Sequence, residues 1–337
     1  MSKKICIIGD GTFACAIAIL LNKNGHNVSM YSTDKRITEE LIRTRQNRNR
    51  LPNCFIPNEV NITGDKFEAA KDADLFVFAV ASLYTRVVAS EFKDVIEKDK
   101  IVVTVTKGIE EERLYFQTEI INNELPGVKI AVLSGPSHAE EVALHMPTTV
   151  VVGAYEKEVA EYIQDIFMSD TFRVYISPDV EGIELGASIK NVIALAAGVI
   201  DGLGCGDNAK AALMTRGIHE ISRLGEKMGS KPETFNGLSG IGDLIVTCMS
   251  KHSRNRNCGY LLGQGYTLKQ AEEEIGQVVE GVYSAKSVMK LAKLYDVEMP
   301  ICEAINKLLF EGESADKLLK DLIVREKKKE HHSLEWN

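Results

Sequence analysis

The sequence lacks the features of three classes of protein. Its 48 acidic residues outnumber its 40 basic ones, for a net charge of −8, and this balance argues against a general nucleic-acid-binding surface. No apolar run approaches the roughly 20 residues that a membrane-spanning helix needs, so we expect no membrane span. Residues 1–8 enter a predicted strand almost at once, without the basic, apolar and small-residue order of a secretion signal.

Cysteine is scattered, and its spacing argues against two further features. The seven cysteines are odd in number and contain no C-x-x-C pair. This pattern favours free thiols in a reducing compartment over a disulfide framework or a structural zinc site. We therefore expect a cytoplasmic protein without a metal site.

The first half of the chain alternates between short apolar runs and helical stretches such as 82–96. The runs lack polar alternation, which is typical of parallel strands buried on both faces of a sheet. The predicted strands are 4–10, 26–32, 60–63, 74–80, 100–106, 129–135, 148–154 and 171–177. They predict an α/β fold with an N-terminal, Rossmann-like, doubly wound and mostly parallel sheet.

The strand-like runs stop near residue 179, and the rest of the chain is helical by pattern. A chain of 337 residues is long for a single core. We predict a Rossmann-like domain over 1–178 and an all-helical domain over 179–337. The charged tail 325–337, which contains His331 and His332, is predicted to be a solvated end and not a metal site.

A glycine-rich turn follows the first predicted strand directly. Residues 9–14, GDGTFA, fit the pattern G-x-G-x-x-A. Gly9 permits a tight turn, Gly11 lets the backbone approach a pyrophosphate, and the small Ala14 allows close helix–strand packing. A plain turn is the alternative, but the strand–turn–helix context favours a dinucleotide at the helix N-terminus. The domain over 1–178 is therefore predicted to bind NAD or NADP.

The end of the second predicted strand leaves the choice between NAD and NADP open. Asp34 can accept hydrogen bonds from the ribose hydroxyls of NAD. The residues that could hold the extra phosphate of NADP are Ser32, Thr33, Lys35 and Arg36. Asp34 also stands where the N-cap of the next helix is expected, and we favour that interpretation.

Polar residues follow two later strands, at the edge where an open α/β sheet binds its ligands. Lys107 precedes Gly108 there, either as a site residue or as a solvated loop charge. Ser137 is a second candidate, although Glu140 three residues on gives it the spacing of a helix capping box. We interpret the adjacent His138 as structural or exposed.

Residues 186–198, GASIKNVIALAAG, are predicted to form a buried helix that contains a lysine. Lys190 lies among apolar residues, with Asn191 beside it. A lysine is rarely buried unless another group pairs with it or uses it, and the alternative is a side chain that extends to solvent. Burial would lower the pKa of Lys190 and make it a better proton donor and acceptor near neutrality.

Residues 237–259 contain groups that can act with such a lysine. Three glycines precede Asp243, and Thr247 lies one helical turn beyond it on the same face. Ser253, Arg254 and Asn255 then place a hydroxyl, a guanidinium and an amide at a helix start, which suits a phosphate or carboxylate. The alternative is a capped helix with exposed arginines.

Together these segments resemble the NAD(P)-dependent glycerol-3-phosphate dehydrogenases over nearly the whole chain. The matching segments are GDGTFACAIA, LPN at 51–53, TKGIE at 106–110, SGPSHAEEV, ELGASIKNVIALAAGVIDGLG, NGLSGIGDLIVTC, SRNR and VVEGV at 278–282. The order of SGPS, IKN, GDL and SRN makes a chance match implausible. The resemblance implies interconversion of dihydroxyacetone phosphate and sn-glycerol 3-phosphate with NAD or NADP. It also implies that the reaction supplies glycerol 3-phosphate for phospholipid synthesis. It also implies a homodimer whose domain over 179–337 carries substrate binding and catalysis.

The resemblance also assigns roles to the candidate residues. Lys190 matches the catalytic lysine of the family, the proton acceptor when glycerol 3-phosphate is oxidised. The polar groups around the reacting carbons match Lys107, Asn191, Asp243 and Thr247. The substrate contacts match Lys107, Gly135, Ser137, Lys190, Asp243 and the phosphate-binding Ser253, Arg254 and Asn255. The cofactor contacts match Gly9, Gly11, Thr12, Phe13, Ala14, Lys107, Ala139, Arg254, Val278 and Glu280.

Three parts of the sequence depart from the family pattern. Thr12 and Phe13 replace a common Ser-Trp pair but keep a hydroxyl and a ring. Ala81 stands where a proline is usual, which we expect to alter a loop. Thr33 stands where an arginine near the adenosine ribose is common, so the sequence does not decide between NAD and NADP.

The residues themselves support the same chemistry. Hydride addition to a ketone carbon leaves negative charge on the oxygen, so an acid must lie beside it. We hypothesise that Lys190 is this acid and that Asp243 holds it in place. One alternative is a related dehydrogenase for a β-hydroxy acid or a keto acid such as ketopantoate, with less need of an Arg-Asn pair. The other is a non-catalytic redox sensor, which would leave Lys190 and Asp243 without a purpose.

Overall fold

The computed structural model describes residues 1–48, 51–327, 329–330 and 336. Within them eight strands form one sheet: β1 (Lys4–Ile8), β2 (Asn27–Tyr31), β3 (Asn61–Thr63), β4 (Leu75–Phe78), β5 (Ile101–Thr104), β6 (Lys129–Ser134), β7 (Thr148–Ala154) and β8 (Phe172–Ser177). Each lies inside one of the predicted runs, so these predictions are confirmed. His331 and His332 lie outside the described residues.

Helices connect the strands and then follow them. The first group is α1 (Thr12–Lys23), α2 (Lys35–Thr44), α3 (Lys66–Ala69), α4 (Thr85–Glu91), α5 (Gln117–Glu124), α6 (Ala139–Ala143) and α7 (Lys157–Phe167), with a 3₁₀ turn at Ser82–Tyr84. The second group is α8 (Val180–Gly202), α9 (Asp207–Met228), α10 (Pro232–Phe235), α11 (Asp243–Met249), α12 (Arg254–Gly263), α13 (Leu268–Ile275), α14 (Glu280–Leu294), α15 (Pro300–Phe310) and α16 (Ala315–Ile323). Below, the eight strands together with the first group of helices are called the sheet part, and the second group of helices is called the helical part.

The sheet has the order β3-β2-β1-β4-β5-β6-β7-β8. Neighbouring strands are parallel except β6 and β7, so β7 and β8 run opposite to the other six. The chain leaves β1 toward β2 on one side and returns to β4 on the other. This is the topological switch point of a doubly wound sheet, and it confirms the predicted fold class.

The sheet is buried on both faces because its strands are apolar at successive positions. All four residues of β4 are buried. Val77 joins the core that contains α1, whereas Phe76 and Phe78 join the core that contains residues of α4 and α5. Successive strand residues point to opposite faces, so one apolar run serves both cores.

Helix α8 is the centre of the helical part, and α9, α11, α12 and α14 pack around it. Among the described residues it is long and apolar enough to cross a membrane, yet the whole of its most apolar window is buried inside the protein. Its composition is therefore that of a core helix, apolar on every side.

Helices α8 and α12 pack backbone against backbone. A Cβ added to Gly198 would lie 1.9 Å from Arg256 O, and one added to Gly259 would lie 2.0 Å from Leu195 O. Only glycine permits this approach at either position. The contact holds the N-terminus of α12 against the middle of α8, beside Asn191.

Candidate active site

A cleft of about 670 Å³ lies between the carboxyl ends of the parallel strands and the helical part. This is the edge at which open α/β sheets bind their ligands. The predicted site residues that line it are Gly9, Gly11, Thr12, Phe13, Lys107, Ser137, Ala139, Lys190, Asn191, Asp243, Thr247, Ser253, Arg254, Asn255, Val278 and Glu280. The fold therefore brings candidates from both parts of the chain into one place.

Two predicted site residues, Ala14 and Gly135, do not line the cleft. Ala14 is fully buried and packs in the core beneath α1. Gly135 is also buried, and its carbonyl accepts hydrogen bonds from Lys107 Nζ at 3.4 Å and from Ser137 Oγ at 3.0 Å. Gly135 thus orients two side chains that do face the cleft.

The turn between β1 and α1 fits a dinucleotide pyrophosphate. Gly9 has a φ of +136°, and a Cβ there would lie 2.4 Å from Ala79 O. A Cβ on Gly11 would meet no atom within 4 Å, so the space beside it is open to a ligand. No side chain caps α1, which leaves the N–H groups of its first turn for an anion. These residues suit NAD or NADP.

Farther along the cleft, one buried carboxylate holds two lysines. Lys190 Nζ donates to Asp243 Oδ1 at 2.6 Å, and Lys107 Nζ donates to Oδ2 at 2.8 Å. Lys190 is only 5% exposed and Asp243 only 1%. The interpretation of Lys190 as a side chain that extends to solvent is therefore wrong, and Lys107 is not a solvated loop charge.

An irregular turn positions Asp243. A π-helical turn at Leu238–Gly242 precedes α11, and Gly240 within it has non-helical angles, φ −95° and ψ −105°. Thr247 lies one turn beyond Asp243, as predicted. Its Oγ1 donates to Asp243 O at 2.6 Å and accepts from Lys190 Nζ at 2.6 Å. The ammonium group of Lys190 is thus fixed by two oxygens on one face of α11.

The burial of this cluster changes the acidity of its members. Burial disfavours the charged form and lowers the pKa of Lys190 from 10.5 to about 8; Asp243 opposes this shift, and the positive charge of Lys107 adds to it. Burial alone would raise the pKa of Asp243, but Lys107 and Lys190 outweigh it and lower that pKa. Lys190 is therefore the group that can exchange a proton near neutral pH beside an ionised carboxylate.

An amide chain links α8, α12 and α14. Asn255 Nδ2 donates to Asn191 Oδ1 at 2.9 Å, and Asn255 Oδ1 accepts from Gly281 N at 2.9 Å. Both asparagines are buried. The chain fixes the orientation of Asn191, which lines the cleft next to Lys190.

The start of α12 presents a cation to the cleft. Ser253 Oγ caps the helix by accepting from Arg256 N at 3.2 Å. Arg254 is exposed and lines the cleft, and its Nη1 donates to Val278 O at 3.1 Å. The helix is thus capped and its arginine is exposed, as the alternative interpretation expected, but Arg254 is exposed in the cleft itself.

Glu280 joins the helical part to the sheet part. It begins α14, and its Oε1 and Oε2 accept from Ser82 N at 3.1 Å and from Ser82 Oγ at 2.5 Å. Burial raises the pKa of Glu280, and the hydrogen bonds from Ser82 work against that shift. Sequence reasoning missed Ser82 as a partner, because 198 positions separate the two residues.

Two interpretations of the segment after β6 need correction. Ser137 is not a helix N-cap, because α6 begins at Ala139 with His138 at the cap position, and Ser137 Oγ turns back to Gly135 O. His138 was not recognised as a cleft residue, yet it lines the cleft. Burial and then the charge of Lys190 lower its pKa. Its place directly after SGPS at a strand end was the available signal.

The prediction that Asp34 caps the following helix is confirmed. Its Oδ1 accepts from Arg36 N at 2.8 Å and from Ile37 N at 3.4 Å at the start of α2. Thr33 and Asp34 both line the cleft.

All seven cysteines are free of disulfides. Within the part of the chain that the structure describes, no group of three or more His, Cys, Asp or Glu side chains could hold a metal ion. The groups that the cleft does present are the open glycine turn, the lysine–carboxylate cluster and Arg254.

A glycine turn that suits a dinucleotide and a buried lysine whose pKa is lowered to about 8, in one cleft, are the features of a dinucleotide-dependent oxidoreductase. Family profiles narrow this class. The profile described as NAD-dependent glycerol-3-phosphate dehydrogenase N-terminus matches residues 4–160, and the profile of its C-terminus matches residues 179–320.

Individual relatives agree. The chain is 53% identical over 332 residues to the glycerol-3-phosphate dehydrogenase (NAD(P)+) of Fusobacterium nucleatum, covering 98% of this chain and 99% of the relative. It is 50% identical over 333 residues to the enzyme of that name from Agathobacter rectalis, covering 99% of both. The crystal structure of glycerol-3-phosphate dehydrogenase from Coxiella burnetii has a TM-score of 0.93 at 34% identity, covering 96% of this chain and 99% of that one.

The chain belongs to the NAD-dependent glycerol-3-phosphate dehydrogenase family. It is an oxidoreductase that interconverts dihydroxyacetone phosphate and sn-glycerol 3-phosphate with NAD or NADP. The resemblance stated from the sequence is confirmed, and neither a keto-acid dehydrogenase nor a non-catalytic redox sensor describes the chain.

Proposed function

We propose that Lys190 is the proton donor and acceptor of this interconversion. The nicotinamide, when bound, supplies or accepts the hydride at the substrate C2 carbon. Lys190 donates a proton to the ketone oxygen as negative charge develops there, and in reverse its neutral amine takes the proton of the C2 hydroxyl. The supporting observation is a buried lysine in the cleft with its Nζ held at 2.6 Å from both Asp243 Oδ1 and Thr247 Oγ1.

In this proposal Lys107, Asp243, Thr247 and Asn191 complete the catalytic group. Lys107, bonded to the second oxygen of Asp243, stabilises the charge that develops on the substrate oxygen. Asn191, fixed by Asn255, positions the substrate beside Lys190. Ser137, held by the carbonyl of Gly135, completes the substrate contacts at the end of β6.

The substrate phosphate is proposed to bind at the N-terminus of α12. The positive end of the helix dipole, the Arg254 guanidinium and the polar side chains of Ser253 and Asn255 all favour an anion there. The dinucleotide is proposed to contact the turn and its surroundings through Gly9, Gly11, Thr12, Phe13, Lys107, Ala139, Arg254, Val278 and Glu280, while Ala14 packs in the core below the turn.

Four further features belong to the proposal. The chain is organised as an NAD(P)-binding domain over 1–178 and a substrate-binding and catalytic domain over 179–337. It forms a homodimer and works in the cytoplasm, where it supplies glycerol 3-phosphate for phospholipid synthesis. Light scattering on the purified protein measures the oligomeric state, and a monomer at micromolar concentration would contradict the dimer.

The role of Lys190 is tested by absorbance at 340 nm with dihydroxyacetone phosphate and either NADH or NADPH. Lys190→Ala is expected to lose roughly 10²–10⁴-fold in kcat, the usual contribution of general acid–base catalysis, while cofactor binding by calorimetry stays near wild type. Lys290→Ala, at a half-exposed lysine outside the cleft, is the matched control. Near-normal turnover of Lys190→Ala would contradict the assignment.

The phosphate site is tested with Arg254→Ala. Losing a charge-assisted hydrogen bond is expected to raise the KM for dihydroxyacetone phosphate roughly 10- to 100-fold, with a smaller change in kcat. Dihydroxyacetone, which has no phosphate, is the control substrate, and its KM should not change. An unchanged KM for the phosphorylated substrate would place its phosphate elsewhere.

A further inference from the structure

The strands distinguish the two ends of the cleft. Lys107 follows β5 at the end of the cleft that contains Lys190 and Asp243, here called the reaction end. The glycine turn follows β1 in the middle, and Thr33 and Asp34 follow β2 at the other end. A dinucleotide with its pyrophosphate at the turn and its nicotinamide at the reaction end has its adenosine at the β2 end. NAD and NADP differ only there, by a 2′-hydroxyl or a 2′-phosphate on the adenosine ribose.

The acid that usually binds this ribose stands at the end of the second strand, and here that residue has another role. Asp34 Oδ1 accepts two backbone hydrogen bonds as the N-cap of α2. Its Oδ2 lies 3.6 Å from Arg36 Nη2. The carboxylate of Asp34 is therefore directed to its own helix.

A second carboxylate is fixed at the same end by a different element. Asp10, between the two glycines of the turn, lines the cleft, and its Oδ2 accepts from Ser32 Oγ at 2.7 Å. Ser32 is 3% exposed at the end of β2, so it is a rigid donor. The backbone carbonyl of Asp10 is also held, by Asn47 Nδ2 at 3.1 Å. Asp10 thus presents a preorganised acceptor where the turn meets β2.

The charge at this end is negative. Glu91 of α4 lines the cleft too, and the contact of Phe92 with Tyr31, 5.1 Å between ring centroids, holds the end of α4 beside β2. The lysines and arginine among the described lining residues are Lys107, Lys190 and Arg254, all at the reaction end or at α12. Lys35 and Arg36 extend into solvent, with side chains 89% and 93% exposed.

We propose that this chain selects NAD(H) over NADP(H), and that Asp10, held by Ser32, is the specificity-determining acid. Asp10 accepts a hydrogen bond from the ribose 2′-hydroxyl and repels a 2′-phosphate of charge near −2. Asp34 and Glu91 add to the repulsion. This inference rests on the proposed function only in that the dinucleotide occupies this cleft.

The test is calorimetric binding of two probes that contain only the adenosine side of the cofactors, ADP-ribose and 2′-phospho-ADP-ribose. The wild-type protein is expected to bind ADP-ribose roughly tenfold or more tightly than 2′-phospho-ADP-ribose. Repulsion of that size is expected when one unscreened like charge lies within about 5 Å of the 2′-phosphate. The ratio should shrink in high salt, because charge repulsion is screened. Equal affinities, or a ratio that salt does not change, would overturn the proposal.

Asp10→Asn keeps the shape of the side chain and its acceptor for Ser32 but removes the charge. It is expected to reduce the ratio severalfold, by tighter binding of 2′-phospho-ADP-ribose. Asp34→Asn, which retains a good N-cap, should change the ratio less, and Asp65→Asn, a cap of α3 that does not line the cleft, should not change it. An unchanged ratio in Asp10→Asn, or a larger change in Asp34→Asn, would overturn the role of Asp10.

Kinetics separate this inference from the proposed function. Reduction of dihydroxyacetone phosphate with the same kcat/KM for NADH and NADPH would overturn the selectivity and leave the function intact. If neither cofactor supported reduction while ADP-ribose still bound more tightly than its 2′-phosphate, the function would fail and the selectivity would stand.

Discussion

Two lysines that share one carboxylate differ in how deeply they are buried. Lys190 is buried with its ammonium between Asp243 and Thr247, and its pKa is lowered to about 8. Lys107 is less buried and occupies the other oxygen of Asp243. In the proposed mechanism the proton is therefore exchanged at Lys190, and Lys107 holds the other side of Asp243.

The pH dependence of the two reaction directions follows from this pKa. Reduction of the ketone requires protonated Lys190, so its kcat/KM should fall as pH rises through about 8. Oxidation of glycerol 3-phosphate requires the neutral amine, so its kcat/KM should rise over the same interval. Initial rates in both directions across pH 6–10 measure this. Profiles that change in the same sense would contradict Lys190 as the exchanging group.

The residues of the site differ in how far sequence could predict them. Lys190 could be predicted because a lysine is unusual in an apolar helix. Asp243 and Thr247 could be predicted because their spacing places them on one face of a helix. Ser82 carried no local pattern, and the signal for His138 was limited to its place directly after SGPS at a strand end. The partner of Ser82 is 198 positions away, and the cleft position of His138 depends on how α6 packs, which tertiary structure alone determines.

At the scale of elements, the crossing of α8 and α12 positions the proposed phosphate site. The two helices contact through Gly198 and Gly259, and Asn255 bonds Asn191 one turn before this contact. Any side chain at the crossing would separate the start of α12 from Lys190.

Gly198→Ala tests this crossing. Its Cβ would lie 1.9 Å from Arg256 O, and overpacking of this kind costs about 1–3 kcal/mol in free energy of unfolding, sometimes more. The KM for dihydroxyacetone phosphate should rise as α12 moves. Gly64→Ala, whose nearest contact would be 3.7 Å, is the control for urea denaturation and kinetics. Unchanged stability and KM in Gly198→Ala would show that the crossing is not tight.

Strands were predicted better than helix boundaries. Continuous apolar runs are a strong signal, because both faces of the sheet are buried, and every predicted run contains a strand. The predicted helix over 82–96 is instead a 3₁₀ turn followed by α4, which ends at Glu91. The hydrogen bond from Ser82 N to Glu280 holds the first turn in a long-range contact, and local sequence contains no information about it.

At the scale of the whole molecule, the cleft depends on how the sheet part and the helical part are held together. Glu280 and Ser82 bridge them beside Gly108, and Lys107 bridges them again through Asp243. Two of the polar contacts that join the two parts therefore lie in the site itself, while others, such as the buried pair of Thr118 and Glu184, lie outside it.

Ser82→Ala tests the first bridge. Removing the hydroxyl leaves one oxygen of a partly buried carboxylate without its donor, at an expected cost of about 1 kcal/mol in free energy of unfolding. Because Glu280 lines the cleft, NADH should also bind more weakly. Urea denaturation and titration of NADH fluorescence measure these effects, with the exposed Ser90→Ala as control. A variant as stable as the control would show that the bridge is dispensable.

The antiparallel pairing of β6 with β7 sets the route by which the chain reaches Lys190. Because β8 runs with β7, it ends at the edge of the sheet opposite the cleft, and α8 must cross the height of the sheet. The stretch from Val180 to Lys190 rises about 15 Å at 1.5 Å per residue, comparable to the roughly 20 Å of a six-residue strand. A one-residue insertion or deletion there would turn Lys190 by about 100° around the helix axis, away from Asp243. The number of residues in this stretch, and not only their identity, therefore determines whether Lys190 faces Asp243.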